Sequence, residues 1–180
     1  MLDREQLVRS LATGSRSTNL WLRSEVDIFL STRSGRGNGW DSVSLSLNSS
    51  HRRRVPAPEA EPFRELHRLI TRLWTSVAGE IGAVFGRVED EWSLEQIWSE
   101  LPDPRSGDRP PPPGSWPDWL SWLTYFDADR YRLLPPLPAE LDAYIRRTPE
   151  GAAVIALPTD PAAVDEARFA RLHRKYRLCR

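Results

Sequence analysis

The chain has 180 residues, an apolar fraction of 39% and eight tryptophans, which is enough apolar surface for one ordinary folded domain and excludes a disordered chain. Lys and Arg together number 25, as do Asp and Glu, so the zero net charge predicts no long-range attraction of the whole chain to nucleic acid or an anionic membrane. The single cysteine, Cys179, excludes an intramolecular disulfide and a cysteine-based metal cluster.

The first third of the chain predicts a short helix followed by two antiparallel strands. Asp3 has the residue type of a helix cap, and Gly14 is a typical C-terminal stop. Apolar and polar residues then alternate over 20–30 and again over 43–47, which is the period of a half-buried strand. The glycine-rich segment between these two runs predicts a hairpin loop.

The middle of the chain begins with a basic, proline-containing connector at 51–58, and a long helix is predicted after it. The apolar residues at helical spacing in this helix are Phe63, Leu66, Ile70, Leu73, Trp74 and Val77. Segment 81–88 is interrupted by glycine and contains β-branched residues, so it predicts a strand or an extended segment. Ser93 then begins a short helix, because it forms a capping-box pair with Gln96.

Residues 102–117 predict a proline-rich loop, whose four consecutive prolines favour a stiff polyproline II segment. Beyond it the sequence predicts a strand at 122–126, a helix from Pro138 that carries Leu141, Tyr144 and Ile145, and a central strand at 152–157. Asp160 and Pro161 have the residue types of a cap and a first helical position, so a last helix is predicted from there. Its expected core-facing residues are Phe169, Leu172 and Tyr176.

Together these elements predict a single α+β domain over residues 1–180, with a mixed or antiparallel sheet packed against several helices.

No catalytic or metal-binding constellation stands out in the sequence. His51, His67 and His173 lie on three different predicted elements, and none has a second ligand residue at metal-site spacing. Solvated surface positions are expected for His67 and His173. We therefore predict no catalytic residue, no metal site and no cofactor, and a site assembled in space from distant residues stays open.

Carboxylates are concentrated around Trp92 and Trp98. They are Glu89, Asp90, Glu91, Glu95 and Glu100. An acidic helix N-terminus with both tryptophans buried explains this pattern, because the helix dipole favours acids there. An acidic patch with aromatic anchors for a basic protein partner explains it equally well.

Trp116, Trp119 and Trp122 recur at every third residue beside the proline-rich loop. Tryptophans in such a pattern more often lie in the core or pin a loop. An exposed aromatic ridge that recognises a partner is the alternative. The candidate partner-binding residues are Glu91, Trp92, Glu95, Trp98, Trp116 and Trp119.

The last third of the chain resembles the immunity protein 52 family of bacterial polymorphic-toxin systems. The resemblance lies in residues 122–126, in the proline-started helix, in residues 151–161 and in the final helix. It implies an α+β fold and a protein partner, and it implies no catalytic residue.

These inferences predict a non-enzymatic immunity protein that binds and neutralises a cognate toxin domain in the cytoplasm, with no nucleic-acid or membrane partner. The charged start of the sequence and the lack of an apolar run of about 18 residues underlie the cytoplasmic expectation. Two alternatives stay open, as does the oligomeric state. One is a small enzyme or ligand-binding domain with a spatially assembled polar site, and the other is a module that binds nucleic acid through residues 51–54.

Overall fold

The computed structural model describes residues 5, 9, 16–22, 26–33, 39–47, 55–89, 109–157 and 160–178. The chain divides into two compact units, Met1–His51 and Arg52–Arg180. Each unit contains one antiparallel sheet, and helices lie before, between and after the strands. The predicted α+β class is therefore confirmed, whereas a single domain over residues 1–180 stays a prediction.

The first unit contains a three-stranded antiparallel sheet in the order β1-β2-β3. Its strands are β1 (Arg16–Leu22), β2 (Val26–Arg33) and β3 (Ser42–Leu47). The predicted antiparallel pairing of the two alternating segments is confirmed between β2 and β3. Glu5 and Arg9 are helical, within the segment predicted as the first helix. Of the predicted loop over 34–39, only Gly39 lies within the described residues.

The prediction of one strand over residues 20–30 is wrong, because β1 and β2 are two strands of a hairpin. Leu22 aligns with Val26 across the intervening residues, and Leu20 aligns with Ile28. Even-numbered residues therefore align with even-numbered residues. Apolar residues stand at even positions on both sides of residues 23–25, so the alternation alone cannot separate a hairpin from one long strand.

The second unit begins with α1 (Ala57–Glu80), which confirms the long predicted helix. It ends in a Schellman arrangement around Gly82, whose φ is 64°. The Ala83 amide donates to the carbonyl of Ala78 at 2.8 Å, and the Gly82 amide donates to the carbonyl of Gly79 at 3.2 Å. These bonds satisfy carbonyl groups that the end of the helix would otherwise leave without partners.

A four-stranded antiparallel sheet forms the centre of the second unit, in the order β4-β5-β7-β6. Its strands are β4 (Phe85–Val88), β5 (Leu123–Phe126), β6 (Ile145–Arg147) and β7 (Ala153–Ala156). The strands predicted at 122–126 and 152–157 are confirmed, including the central position of the latter. The segment predicted as extended at 81–88 contains the turn that follows α1, at Ile81 and Gly82, and then β4.

Two short helices lie between β5 and β6, namely α2 (Ala128–Leu133) and α3 (Ala139–Asp142). Helix α2 was not predicted from the sequence, and Asp127 caps it by accepting a hydrogen bond from the Arg130 amide at 2.7 Å. The helix predicted from Pro138 is present but short. Tyr144 lies in the turn after it and Ile145 lies in β6, so their predicted helical positions are wrong.

The last helix is α4 (Glu166–Leu178), and its predicted start at Asp160 and Pro161 is wrong. Asp165 takes the capping role, since its side chain accepts a hydrogen bond from the Arg168 amide at 2.9 Å. Asp160 instead accepts two hydrogen bonds from the guanidinium of Arg64 on α1, at 3.0 and 2.7 Å. This ion pair joins the first helix of the unit to the loop before the last one.

The two faces of the four-stranded sheet contact different helices. One face meets α4, where Phe126 and Ile155 pack in a buried cluster with the predicted core residues Phe169, Leu172 and Tyr176. The other face meets α1 in a smaller buried cluster of Ala78, Tyr125, Ala152 and Val154. Full burial of one large apolar side chain contributes about 1.5–3 kcal/mol, so the α4 side provides most of the apolar stabilisation.

The described part of the proline-rich loop, residues 109–117, contains neither helix nor strand. A turn closes it, in which the Ser115 amide donates to the Pro112 carbonyl at 3.0 Å and Gly114 takes a φ of 77°. Across the described ranges, none of the helices is both long enough and apolar enough to cross a bilayer.

Candidate protein-binding groove

A row of aligned residues crosses the α1 side of the four-stranded sheet. Gly86 aligns with Tyr125, Tyr125 with Val154, and Val154 with Arg146, in the order of the strands. Residues aligned in this way on neighbouring antiparallel strands lie on the same face of a sheet. The row therefore runs from a glycine on one edge strand to an arginine on the other.

Trp74 of α1 packs on the glycine end of this row. Its ring meets the ring of Tyr125 edge-on, with the centroids 6.1 Å apart. It also lies so close to Gly86 that a Cβ atom there would be 2.8 Å from Trp74 Cζ2. The missing side chain at Gly86 thus lets α1 cover β4 and β5 closely.

Beyond Tyr125, the same face of β7 and β6 borders a groove of about 850 Å³. Thr71, Thr75, Ser76 and Gly79 of α1 form one wall, and the hairpin of β6 and β7 forms the other. The floor consists of Tyr125, Ala152, Val154 and Ala156. Small side chains on both the wall and the floor leave this space open.

Charge is distributed unevenly along the groove. Helix α1 runs in the direction of β5, because His67 stacks on Trp122 before the strand and Trp74 meets Tyr125 within it. Arg72 therefore lies towards the start of β5, and Glu80 lies towards its end. The acidic residues that line the Glu80 end are Glu80, Asp127, Asp129 and Glu150, and the arginines that line the groove are Arg72, Arg146 and Arg147.

The acidic end of the groove changes the pKa of Tyr125, which lies on the floor. Burial raises the pKa of the Tyr125 hydroxyl, and the negative charges of Asp127 and Glu150 raise it further. Several charges at this end already have partners, since Ser76 donates to Glu80 at 3.0 Å and Arg132 pairs with Asp129 at 2.8 Å. Arg147 also lies at this end, with its Cζ atom 4.5 Å from the ring centroid of Tyr131. The four carboxylates there outnumber Arg132 and Arg147, so this end of the groove favours a cationic group, and the surroundings of Arg72 favour an anionic one.

The structure buries two of the predicted partner-binding residues, Trp116 and Trp119, which are 8% and 4% exposed. Trp116 Nε1 donates to the carbonyl of Pro135 at 2.9 Å, and Trp119 Nε1 donates to Glu89 Oε1 at 3.0 Å. An exposed aromatic ridge is therefore wrong for these residues. The alternative interpretation, in which they pin the loop to the core, agrees with their burial and hydrogen bonds.

Glu89 is the one member of the acidic cluster that lies within the described residues. Its Oε1 atom also accepts a hydrogen bond from the Ser121 hydroxyl at 3.0 Å, and Arg87 Nε lies 3.7 Å from it. This carboxylate therefore holds the segment before β5 against the end of β4. The other four predicted partner-binding residues, Glu91, Trp92, Glu95 and Trp98, lie outside the described residues.

The expectation of solvated surface histidines is wrong for His173 and for His67. His173 is 7% exposed and packs against Phe169, with its Nε2 atom lacking a hydrogen-bond partner in the described part of the chain. Burial lowers the pKa of its imidazole to about 4. His67 is half-buried and stacks on Trp122 at a centroid distance of 5.3 Å, and His51 lies outside the described residues.

Metal-ligating residues do not gather at the groove. Within the described ranges, no group of three or more His, Cys, Asp or Glu side chains could hold a metal ion. The carboxyl groups of Glu61 and Asp160 have lowered pKa values, and hydrogen bonds from arginines on α1 cause both shifts. These shifts belong to one exposed and one half-buried ion pair of α1 rather than to the groove.

The groove was not predicted, although the small residues that form it are visible in the sequence. Small residues recur at 152, 154 and 156, and a glycine lies within the predicted extended segment 81–88. These small residues indicate a groove only when the neighbouring strands are known. The chain order does not reveal that β7 lies between β5 and β6.

Comparisons with models of known protein families, with curated protein sequences and with solved structures found no match for this chain. Its resemblance to the immunity protein 52 family therefore stays a prediction from the sequence.

Proposed function

We propose that this protein is an immunity protein, which binds a cognate bacterial toxin domain in the cytoplasm and blocks it without catalysing a reaction. The observation that supports this proposal is the half-covered sheet face, where a groove of about 850 Å³ separates α1 from the β6–β7 hairpin. The resemblance seen in the sequence supplies the class of partner.

A segment of a protein chain suits this groove better than a compact ligand. The groove is open along a helix and a strand, and its floor is apolar at Val154 and Ala152. Such a surface can bury apolar side chains of an inserted segment while the charged rim sets its direction. We therefore expect the toxin to insert a segment with a cationic residue near Glu80 and Glu150 and an anionic residue near Arg72.

The first test is calorimetric titration of the full protein with the toxin-like domain encoded by the gene beside its own. We expect 1:1 binding at nanomolar affinity, as for interfaces of standard size, and loss of the toxicity of that domain. Folded protein that does not bind the domain would overturn the proposal for this partner.

Charge reversal tests whether the groove is the docking surface. Glu150→Arg and Arg72→Glu place the wrong charge at opposite ends of the groove, and we expect each to weaken binding about tenfold or more. Arg174→Glu on α4 is the matched control, because Arg174 is exposed and does not line the groove. Equal affinity of all three variants for the toxin would rule out the groove as the docking surface.

The same titration can distinguish the groove from the acidic surface predicted from the sequence. Charge reversal of Glu91 and Glu95 is expected to weaken binding if the toxin docks on that acidic segment, and folding should remain intact. Loss of affinity in these variants, with unchanged affinity in the groove variants, would show that the toxin docks on the acidic segment and not in the groove.

A further inference from the structure

A second recess lies where α4 passes the beginning of β6. Its volume is about 540 Å³, and Tyr144, Arg146, Arg168 and Arg171 line it. Arg168 and Arg171 are three residues apart on α4, so they lie on the same side of that helix. Two guanidinium groups of α4 therefore share one small concave surface, and Arg146 of the edge strand borders it.

The phenol of Tyr144 holds one of these guanidinium groups in place. Arg168 donates to Tyr144 Oη twice, from Nε at 3.1 Å and from Nη2 at 2.6 Å. The phenol oxygen accepts both bonds, so its own proton remains available for a further acceptor. The recess thus contains a fixed guanidinium and a hydroxyl donor rather than two mobile side chains.

The positive charge of this recess is not balanced locally. Glu140 also lines it, but its carboxylate forms an ion pair with Lys175. In the described part of the chain, Arg146, Arg168 and Arg171 have no carboxylate partner within ion-pair distance. Neighbouring guanidinium groups repel one another, and an anion between them would replace this repulsion with attraction.

From this arrangement we propose that the recess is a binding site for an oxyanion, that is, a carboxylate or phosphate group. Guanidinium groups match the geometry of both anions because they donate two parallel hydrogen bonds. This site belongs to the ligand-binding alternative predicted from the sequence, and it does not rest on the toxin proposal. The two oxyanions come from different ligands. A carboxylate belongs to an organic acid or an acidic side chain, and a phosphate belongs to a phosphorylated ligand.

The test titrates the full protein with sodium phosphate and, separately, with citrate, at constant pH and ionic strength, with chemical shifts of the arginine side chains as the readout. We expect saturable 1:1 binding of at least one anion. Tighter binding of citrate would indicate a carboxylate ligand, and tighter binding of phosphate would indicate a phosphorylated one. Because no toxin is used, failure here leaves the groove proposal untouched.

Variants separate a built site from general positive charge. Arg171→Gln should weaken anion binding about tenfold, which corresponds to the loss of one charge-assisted hydrogen bond. Arg174→Gln removes the same charge from the same helix outside the recess and should leave affinity unchanged. Equal losses in both variants, or no saturable binding to the parent protein, would overturn the proposal.

Tyr144→Phe provides a check that does not alter charge. It removes the acceptor that orients Arg168, so anion affinity should fall severalfold while the net charge remains the same. Retained affinity in this variant, with its fold verified by circular dichroism, would contradict the proposed role of the phenol.

Discussion

The contact between Trp74 and Gly86 makes the packing of α1 on the sheet directly testable by Gly86→Ala. The added methyl carbon would lie 2.8 Å from Trp74 Cζ2, and 3.4 Å from both Trp74 Cη2 and Tyr125 Cβ. Relieving the shorter contact requires the Trp74 ring or β4 to move, and such overpacking costs about 1–3 kcal/mol. Reduced entropy of the unfolded chain offsets about 0.4–1 kcal/mol of this.

We therefore expect Gly86→Ala to lower the free energy of unfolding by about 1–2 kcal/mol, which corresponds to a Tm about 3–8 °C lower for a unit of this size. Urea titration followed by tryptophan fluorescence measures the first quantity, and thermal unfolding followed by circular dichroism measures the second. Gly79→Ala is the matched control, because a Cβ there meets no atom within 4 Å and the residue lies in a helix. It should stabilise the protein by up to about 1 kcal/mol.

A double-mutant cycle tests whether the contact with the Trp74 ring causes the loss of stability in Gly86→Ala. Trp74→Phe removes both ring atoms that the new methyl group would meet, so Gly86→Ala should cost much less in that background. Two results would refute the packing argument: a Gly86→Ala protein with the parent urea midpoint, or an identical cost in both backgrounds.

Two further predictions concern buried polar groups. Between its ordinary pKa of 6.5 and its lowered pKa of about 4, His173 is protonated in the unfolded chain but not in the folded one. The free energy of unfolding should thus fall as the pH drops through this window, by up to about 3 kcal/mol, and His173→Gln should flatten the profile; an equally steep profile would contradict this. Glu89→Ala leaves the Trp119 and Ser121 donors without their acceptor and should cost about 1–3 kcal/mol in urea titration. Glu89→Gln retains an acceptor and should cost clearly less; equal costs would argue against these hydrogen bonds.

Several elements could be predicted because their signals are local. Helix α1 contains enough turns for its apolar spacing to stand out, and the residues of β5 and β7 form short apolar runs bounded by turn residues. By contrast, α2 has six residues, which is too short for a periodic pattern. Its capping residue, Asp127, was the only signal available.

The burial of His173 could also have been predicted. The residues Phe169, Leu172, His173 and Tyr176 follow the spacing of one helix face, so the apolar stripe of α4 itself includes the histidine. The residue type favoured a surface position, whereas its place in the stripe favoured the core. Packing outweighed residue type at this position.

The wrong start of α4 has a cause that is distant in sequence. Asp160 and Pro161 form a strong local start signal, but the carboxylate of Asp160 binds Arg64 of α1 and the helix begins after Asp165. The groove depends on distant pairing in the same way, since it exists only because β7 separates β5 from β6. Local patterns therefore predicted elements, and long-range contacts decided where those elements end and what they enclose.

The short outer strand β6 also affects how the protein behaves at high concentration. An unpaired strand edge can recruit a second chain into a continuous sheet, which is a common route to aggregation. This strand has three residues, and two of them are the exposed arginines Arg146 and Arg147. Like charges would face each other if two such edges approached, so the arginines oppose self-association. An anion bound in the proposed recess beside Arg146 would weaken that protection, so its binding would lower the solubility of the protein.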